Sequence, residues 1–235
     1  MTEKIRILVL SSNPWNTGRI LVAEEAREIS DRIREGPYRN KFQVHNHGAV
    51  RPKDLQRLLL TYEPQIVHFS GHGSKGQRIL LNGTNGRAQA LDQQGLKDIF
   101  DFYNNHVRLV LLNACFSKAQ ARSISEVVDY SIGTARPIGD KASVAFAGAF
   151  YRALAFGKSI RDAFKSARAE LAVINMPRSR GIELFVRDGI NKGDRFPQTE
   201  TNRHLPAIPA NLVKANAIVE VTTIKTIQQT ILVRG

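Results

Sequence analysis

The chain carries one cysteine, Cys115, and one histidine set between two glycines, Gly71-His72-Gly73. These are the residue types on which nucleophilic catalysis can be built. A thiol is a weak nucleophile until it loses its proton. An imidazole within hydrogen-bond reach accepts that proton, and the resulting ion pair holds the cysteine pKa below its free value of about 8.5. Cys115 is therefore expected to have a depressed thiol pKa, with His72 as its general base. The flanking glycines allow the backbone to approach a substrate closely. The amides of Gly73 and Cys115 are the candidate donors to the oxyanion of a tetrahedral intermediate, an arrangement whose loss costs about 10²-fold or more in rate. This chemistry calls for neither a metal nor a cofactor. The bland alternatives are a small buried thiol at Cys115 and a loop histidine with local hydrogen bonds at His72.

For the pair to meet, the elements before each residue must be neighbours. Apolar runs at Ile5 to Leu10, Gln65 to Ser70 and Arg108 to Leu112 read as buried strands, with further strands at Phe42 to His47, Tyr130 to Gly133 and Ile182 to Val186. Between them, apolar residues at helical spacing predict helices over Arg19 to Glu35, Pro52 to Tyr62, Asp92 to Tyr103, Lys118 to Val127, Lys141 to Phe156 and Ser159 to Leu171. Ser159 with Asp162 reads as a cap on the last of these. Arg78 to Leu81 and Arg87 to Ala90, around Asn82-Gly83 and Asn85-Gly86, predict a small hairpin insertion. Alternating strands and helices imply an α/β fold, a mostly parallel central sheet flanked by helices on both sides. In such sheets reacting groups gather at the carboxyl ends of the strands. The loop 71–74 and the stretch Asn113-Ala114-Cys115 both lie there, and if their strands are neighbours, about 4.8 Å apart, the two side chains come within reach.

Residues 1–190 are expected to form this domain, 191–211 a linker rich in Gly, Pro and polar residues, and 212–235 a Val/Ile/Thr-rich tail whose strand and helix patterns compete. The tail is a candidate for self-association or for occlusion of the site. With 42% apolar and 23% charged residues the chain belongs among globular proteins rather than disordered ones. No apolar run approaches the roughly 20 residues of a membrane span, and no secretory signal is expected, so a cytoplasmic location is. The net charge of +13 attracts nucleic acid, membrane surface or acidic protein alike. The basic residues are dispersed, with neither an RNA-binding aromatic signature nor a zinc-finger spacing, so nucleic acid is not the expected direct ligand. Arg161, Lys165 and Arg168 share a helix face, read as solvated or as docking for an acidic partner. His45 and His47 are expected on opposite faces of their strand, unable to share one metal.

The segments His68-Phe69-Ser70-Gly71-His72-Gly73-Ser74 and Leu111-Leu112-Asn113-Ala114-Cys115-Phe116-Ser117 resemble the catalytic motifs of CHAT-type peptidases, relatives of caspases, metacaspases and separases. Further similarity runs through Ile132-Gly133, Ile138-Gly139-Asp140 and Ala149 to Leu154, so the resemblance covers roughly residues 4 to 190. The order and interval of the pair also agree with the caspase histidine, about 50 residues before its cysteine. The resemblance implies a caspase-like three-layer sandwich and a cysteine endopeptidase acting on a protein substrate. It also implies a regulating sensor or ATPase, often in prokaryotic defence or signalling. Asn113 stands where metacaspases carry the acid that helps their preference for a basic residue before the scissile bond, so the resemblance does not by itself imply that preference here. Asp140 is a candidate pocket residue or a helix cap, and Trp15 a candidate pocket wall. Two rival readings remain: a non-catalytic caspase-like adaptor, and a cysteine-dependent acyltransferase acting on small molecules.

Overall fold

The computed structural model describes residues 4–176 and 181–190. The chain divides into a unit of residues 1–197 and another of 198–235. The linker and tail expected over 191–211 and 212–235 lie outside the described residues.

In chain order the elements are β1 (Ile5–Ser12), α1 (Val22–Glu35), β2 (Phe42–His47), α2 (Asp54–Tyr62), β3 (Ile66–Gly73), β4 (Ile79–Asn82), β5 (Ala88–Ala90), α3 (Gln93–Phe102), β6 (Leu109–Asn113), α4 (Lys118–Ile124), β7 (Tyr130–Thr134), α5 (Asp140–Ala155), α6 (Ile160–Val173) and β8 (Ile182–Val186). The sheet runs β2-β1-β3-β6-β7-β8, parallel except for β8, which pairs antiparallel with β7. Side-chain alternation along the central strands divides the core into two layers. Ile5, Ile7, Val9, Ile66, Leu109 and Leu111 pack beneath α1, α5 and α6. Leu8, Leu10, Val67, Phe69, Val110 and Leu112 pack against α2, α3 and α4 on the other face. A sheet buried on both faces explains why these strands read as continuous apolar runs. The three-layer α/β expectation is met.

Two local starts follow from capping chemistry. Asp92 Oδ2 accepts from Gly95 N at 2.9 Å at the head of α3, and Ser159 Oγ accepts from Asp162 N at 3.1 Å at the head of α6. The expected hairpin is present as β4–β5.

One boundary differs with consequence for the site. The segment 71–74 is not simply a loop, because β3 continues through Gly73. Its last residues pair antiparallel with β4, His72 opposite Leu80 and Gly73 opposite Ile79. The hairpin thus captures the strand end as it leaves the main sheet, a long-range pairing that local propensity does not encode. Among the described residues no helix is long and apolar enough to cross a membrane.

Candidate active site

β3 and β6 are adjacent and in register, with Ser70 opposite Asn113. Just beyond these partners both chains leave the sheet. After β6, Ala114 is buried, Cys115 is half-buried, and Phe116 adopts a φ of 59°, a conformation that costs a non-glycine residue energy and persists only when its surroundings enforce it. Ser117 and Thr134 supply that enforcement. Ser117 Oγ donates to Leu112 O at 2.9 Å and accepts from Thr134 N at 3.0 Å, while Thr134 Oγ1 donates to Ala114 O at 2.6 Å. The turn that presents the thiol is therefore tied to both β6 and β7.

His72 ends β3. Its Nε2 donates to the carbonyl of Gly18 at 2.7 Å and lies 3.3 Å from Asn13 Oδ1. A carbonyl can only accept, so the proton is on Nε2 and the neutral ring keeps Nδ1 as its basic nitrogen. Gly73 packs directly against the cysteine turn: a Cβ built there would fall 1.6 Å from Cys115 O. This close approach is the physical reason for a glycine at 73.

A cavity of about 240 Å³ opens between these elements. His72, Cys115, Asn113 and Asp140 all line it, so the structure brings these four candidates together. Trp15 it does not. Trp15 is largely exposed on the β4–β5 turn, where its Nε1 donates to Asn85 O at 3.2 Å and the Arg87 guanidinium sits 5.0 Å from its ring centre. Nor is Asp140 a cap: Gly139 holds that position with a φ of 84°, and Asp140 is the first residue of α5 without a capping hydrogen bond.

The thiol pKa runs opposite to expectation. Burial pushes Cys115 above its ordinary value, and the negative charge of Asp140 adds to that rise. The backbone amides of Ile138 and Cys115 oppose it by hydrogen-bonding the sulfur. His72 turns its Nε2–H to the loop after β1, and no hydrogen bond joins its ring to Sγ among the described residues. The expected depression is absent because no imidazole–thiol ion pair is formed in this state.

Sequence reasoning missed the deepest part of the site. Glu25 on α1 is only 4% exposed and lines the cavity. Its Oε1 accepts from His68 Nε2 at 2.8 Å and from Asn113 Nδ2, and its Oε2 accepts from Ser70 Oγ at 2.5 Å. Asn113 Nδ2 also donates to Ser143 O at 3.2 Å. His68, fully buried, has its Nδ1 3.1 Å from the Tyr151 hydroxyl. Burial and the charge of Glu25 together raise the Tyr151 pKa, so that hydroxyl keeps its proton. Position 25 falls among Val22, Ala26, Ile29 and Ile33, the core-facing stripe of α1. An acid inside an apolar stripe was the available signal.

His45 and His47 point to one face, not two: both rings lie against Tyr62, with centroids 4.2 and 5.0 Å away. Residues i and i+2 of a strand must share a face. Among the described residues no three His, Cys, Asp or Glu side chains group as a metal site. On α6, Lys165 and Arg168 are exposed, as expected of a solvated face, whereas Arg161 is half-buried with its guanidinium 6.0 Å from the Tyr130 ring centre.

The CHAT domain family model matches residues 14–207. A Roc-COR-CHAT protease from an unknown prokaryotic organism is 30% identical over 173 residues, covering 71% of this chain and 16% of that protein. A probable protease of Gillisia limnaea is 25% identical over 150 residues, covering 63% of this chain and 26% of that one. The chain thus spans about a quarter or less of the length of these curated relatives. Among solved structures, the Arg specific cysteine proteinase gingipain R shares the fold with a TM-score of 0.55, at 10% identity, over 77% of this chain and 46% of its own.

Proposed function

As the chain belongs to the CHAT domain family, we propose that it is a caspase-like cysteine endopeptidase with Cys115 as nucleophile and His72 as general base and acid. The observation that carries this reading is the opening of both residues into one cavity from adjacent strand ends, with the imidazole tautomer set by Gly18 O. In the proposed reaction Nδ1 of His72 takes the Sγ proton and sulfur attacks the scissile carbonyl carbon. The amides of Cys115 and Gly73 receive the oxyanion. Collapse of the tetrahedral adduct breaks the C–N bond, and the imidazolium gives its proton to the leaving amine. Water, deprotonated by Nδ1, then attacks the thioester and releases the acid and the thiol. The protease names of both curated relatives point the same way.

The raised thiol pKa and the missing His72–Cys115 hydrogen bond describe a resting site. A peptide seated in the cavity closes that gap in part, and a regulator, a sensor or ATPase supplied by a partner or by further sequence of the kind the longer relatives carry, completes it. The setting that goes with this reading is a soluble protease of the prokaryotic cytoplasm, serving defence or signalling. The same resting geometry is what a non-catalytic adaptor would retain. The two are separated by a library of peptidyl acyloxymethyl ketones with mixed side chains before the ketone, read by mass spectrometry at Cys115. The protease alkylates Cys115 in the wild type and not in His72→Ala. Equal labelling of the two proteins, or of neither, overturns the reading.

A further inference from the structure

The cavity beside Cys115 has a chemically distinct floor and wall. Its floor holds the Glu25 carboxylate, whose three protein neighbours, His68, Ser70 and Asn113, all act as hydrogen donors. A protonated acid would need an acceptor for its own hydrogen, so this arrangement suits the ionised form. His68 Nδ1 lies 3.1 Å from the Tyr151 hydroxyl and its Nε2 is directed at Glu25, and among the described residues no Lys or Arg pairs with that carboxylate. Of about four acceptor positions on a carboxylate, three are taken, and the remaining one belongs to Oε2.

The walls are apolar: Ile20 and Val22 on one side, Ile138 and Val144 on the other. Asp140 adds a second acid to the lining, and no Lys or Arg lines the cavity among the described residues. That is a sharp inversion in a chain with 34 basic and 21 acidic residues. Apolar walls with an anionic floor fit a side chain with a long aliphatic stem and a cationic tip, because such side chains bury the stem while keeping the charge in a polar place.

We infer that Glu25 is the specificity-determining residue of the pocket that receives the side chain preceding the scissile bond, and that this side chain is arginine or lysine. The inference rests on Cys115 acting as the nucleophile. Asn113, where an acid would have marked such a pocket in the sequence, instead carries the Glu25 carboxylate in place and borrows its charge from α1. The guanidinium or ammonium group takes the open position on Oε2, in a low-dielectric site where a charge-assisted hydrogen bond is strong. An acidic side chain is excluded by two carboxylates, and a leucine leaves the open position on Oε2 unfilled.

The test measures alkylation of Cys115 in the wild-type protein by acyloxymethyl ketones identical but for the residue before the ketone: arginine, lysine, citrulline or leucine. Citrulline keeps the shape of arginine and removes its charge. Arginine and lysine should label roughly ten- to a hundredfold faster than citrulline or leucine. In Glu25→Gln, verified as folded by its thermal melt, that preference should collapse. Equal rates for arginine and citrulline in the wild type refute the inference whether or not the variant folds. A His72-dependent reaction without preference for a cation sinks the pocket assignment while leaving the nucleophile standing; no labelling by any probe removes both.

Discussion

Replacing Gly73 by alanine tests whether the two halves of the site are truly pressed together. The added Cβ would lie 1.6 Å from Cys115 O and 2.7 Å from Cys115 C, whereas ordinary contacts begin near 3.4 Å. The strand end and the cysteine turn must therefore separate by well over an ångström. Neither can yield easily. β3 is held by β4 through Gly73 opposite Ile79, and the turn is held by Ser117 and Thr134. Overpacking of this kind costs about 1–3 kcal/mol. Displacement of a reacting group by about 1 Å costs on the order of 10²-fold in rate. We expect Gly73→Ala to melt at lower urea than the wild type, to remain folded in buffer, and to lose about two orders of magnitude in Cys115 labelling by a peptidyl ketone. Gly76→Ala is the control on the same hairpin, because a Cβ there meets nothing closer than Ser74 Oγ at 3.6 Å. If Gly73→Ala matches the Gly76→Ala control in both urea midpoint and labelling rate, the close approach of Gly73 to Cys115 is not what the geometry says it is.

Tyr151→Phe removes the hydrogen-bond partner of His68 Nδ1 in a fully buried site and should cost about 1–3 kcal/mol in urea denaturation; an unchanged midpoint would mean that His68 finds another partner. Asp140→Asn removes a negative charge that disfavours the Cys115 thiolate. The thiol pKa should therefore fall toward its ordinary value, and iodoacetamide labelling at a fixed pH below that pKa should quicken. A pH profile that stays put or moves upward would show that burial alone sets the thiol.

How much of this was legible in the sequence depended on whether the deciding contact was local. Ile5 to Leu10, Gln65 to Ser70 and Arg108 to Leu112 announce strands buried on both faces through unbroken apolar runs, and Ser159 announces the start of α6 through its own side chain. The neighbouring placement of His72 and Cys115 followed from fold-class reasoning about strand ends. The extension of β3 to Gly73 did not, because β4 supplies its partner from further along the chain. Glu25 was written in plain view inside an apolar helical stripe, yet its role depends on Ser70 and Asn113 arriving from two other elements. The raised Cys115 pKa depended on burial and on Asp140, both supplied by elements that pack over the cysteine turn from further along the chain. The His45 and His47 error was one of parity, correctable from strand geometry alone.

The loop between β1 and α1 does two jobs at once. Asn13 and Gly18 hold the imidazole of His72, and a few residues later Ile20, Leu21 and Val22 form one wall of the cavity. Under the proposed function, an occupant that shifts the wall also shifts the imidazole held by the same loop, and a peptide that seats poorly aims the proton acceptor poorly, so discrimination between substrates is expected in turnover rather than in how long each stays bound.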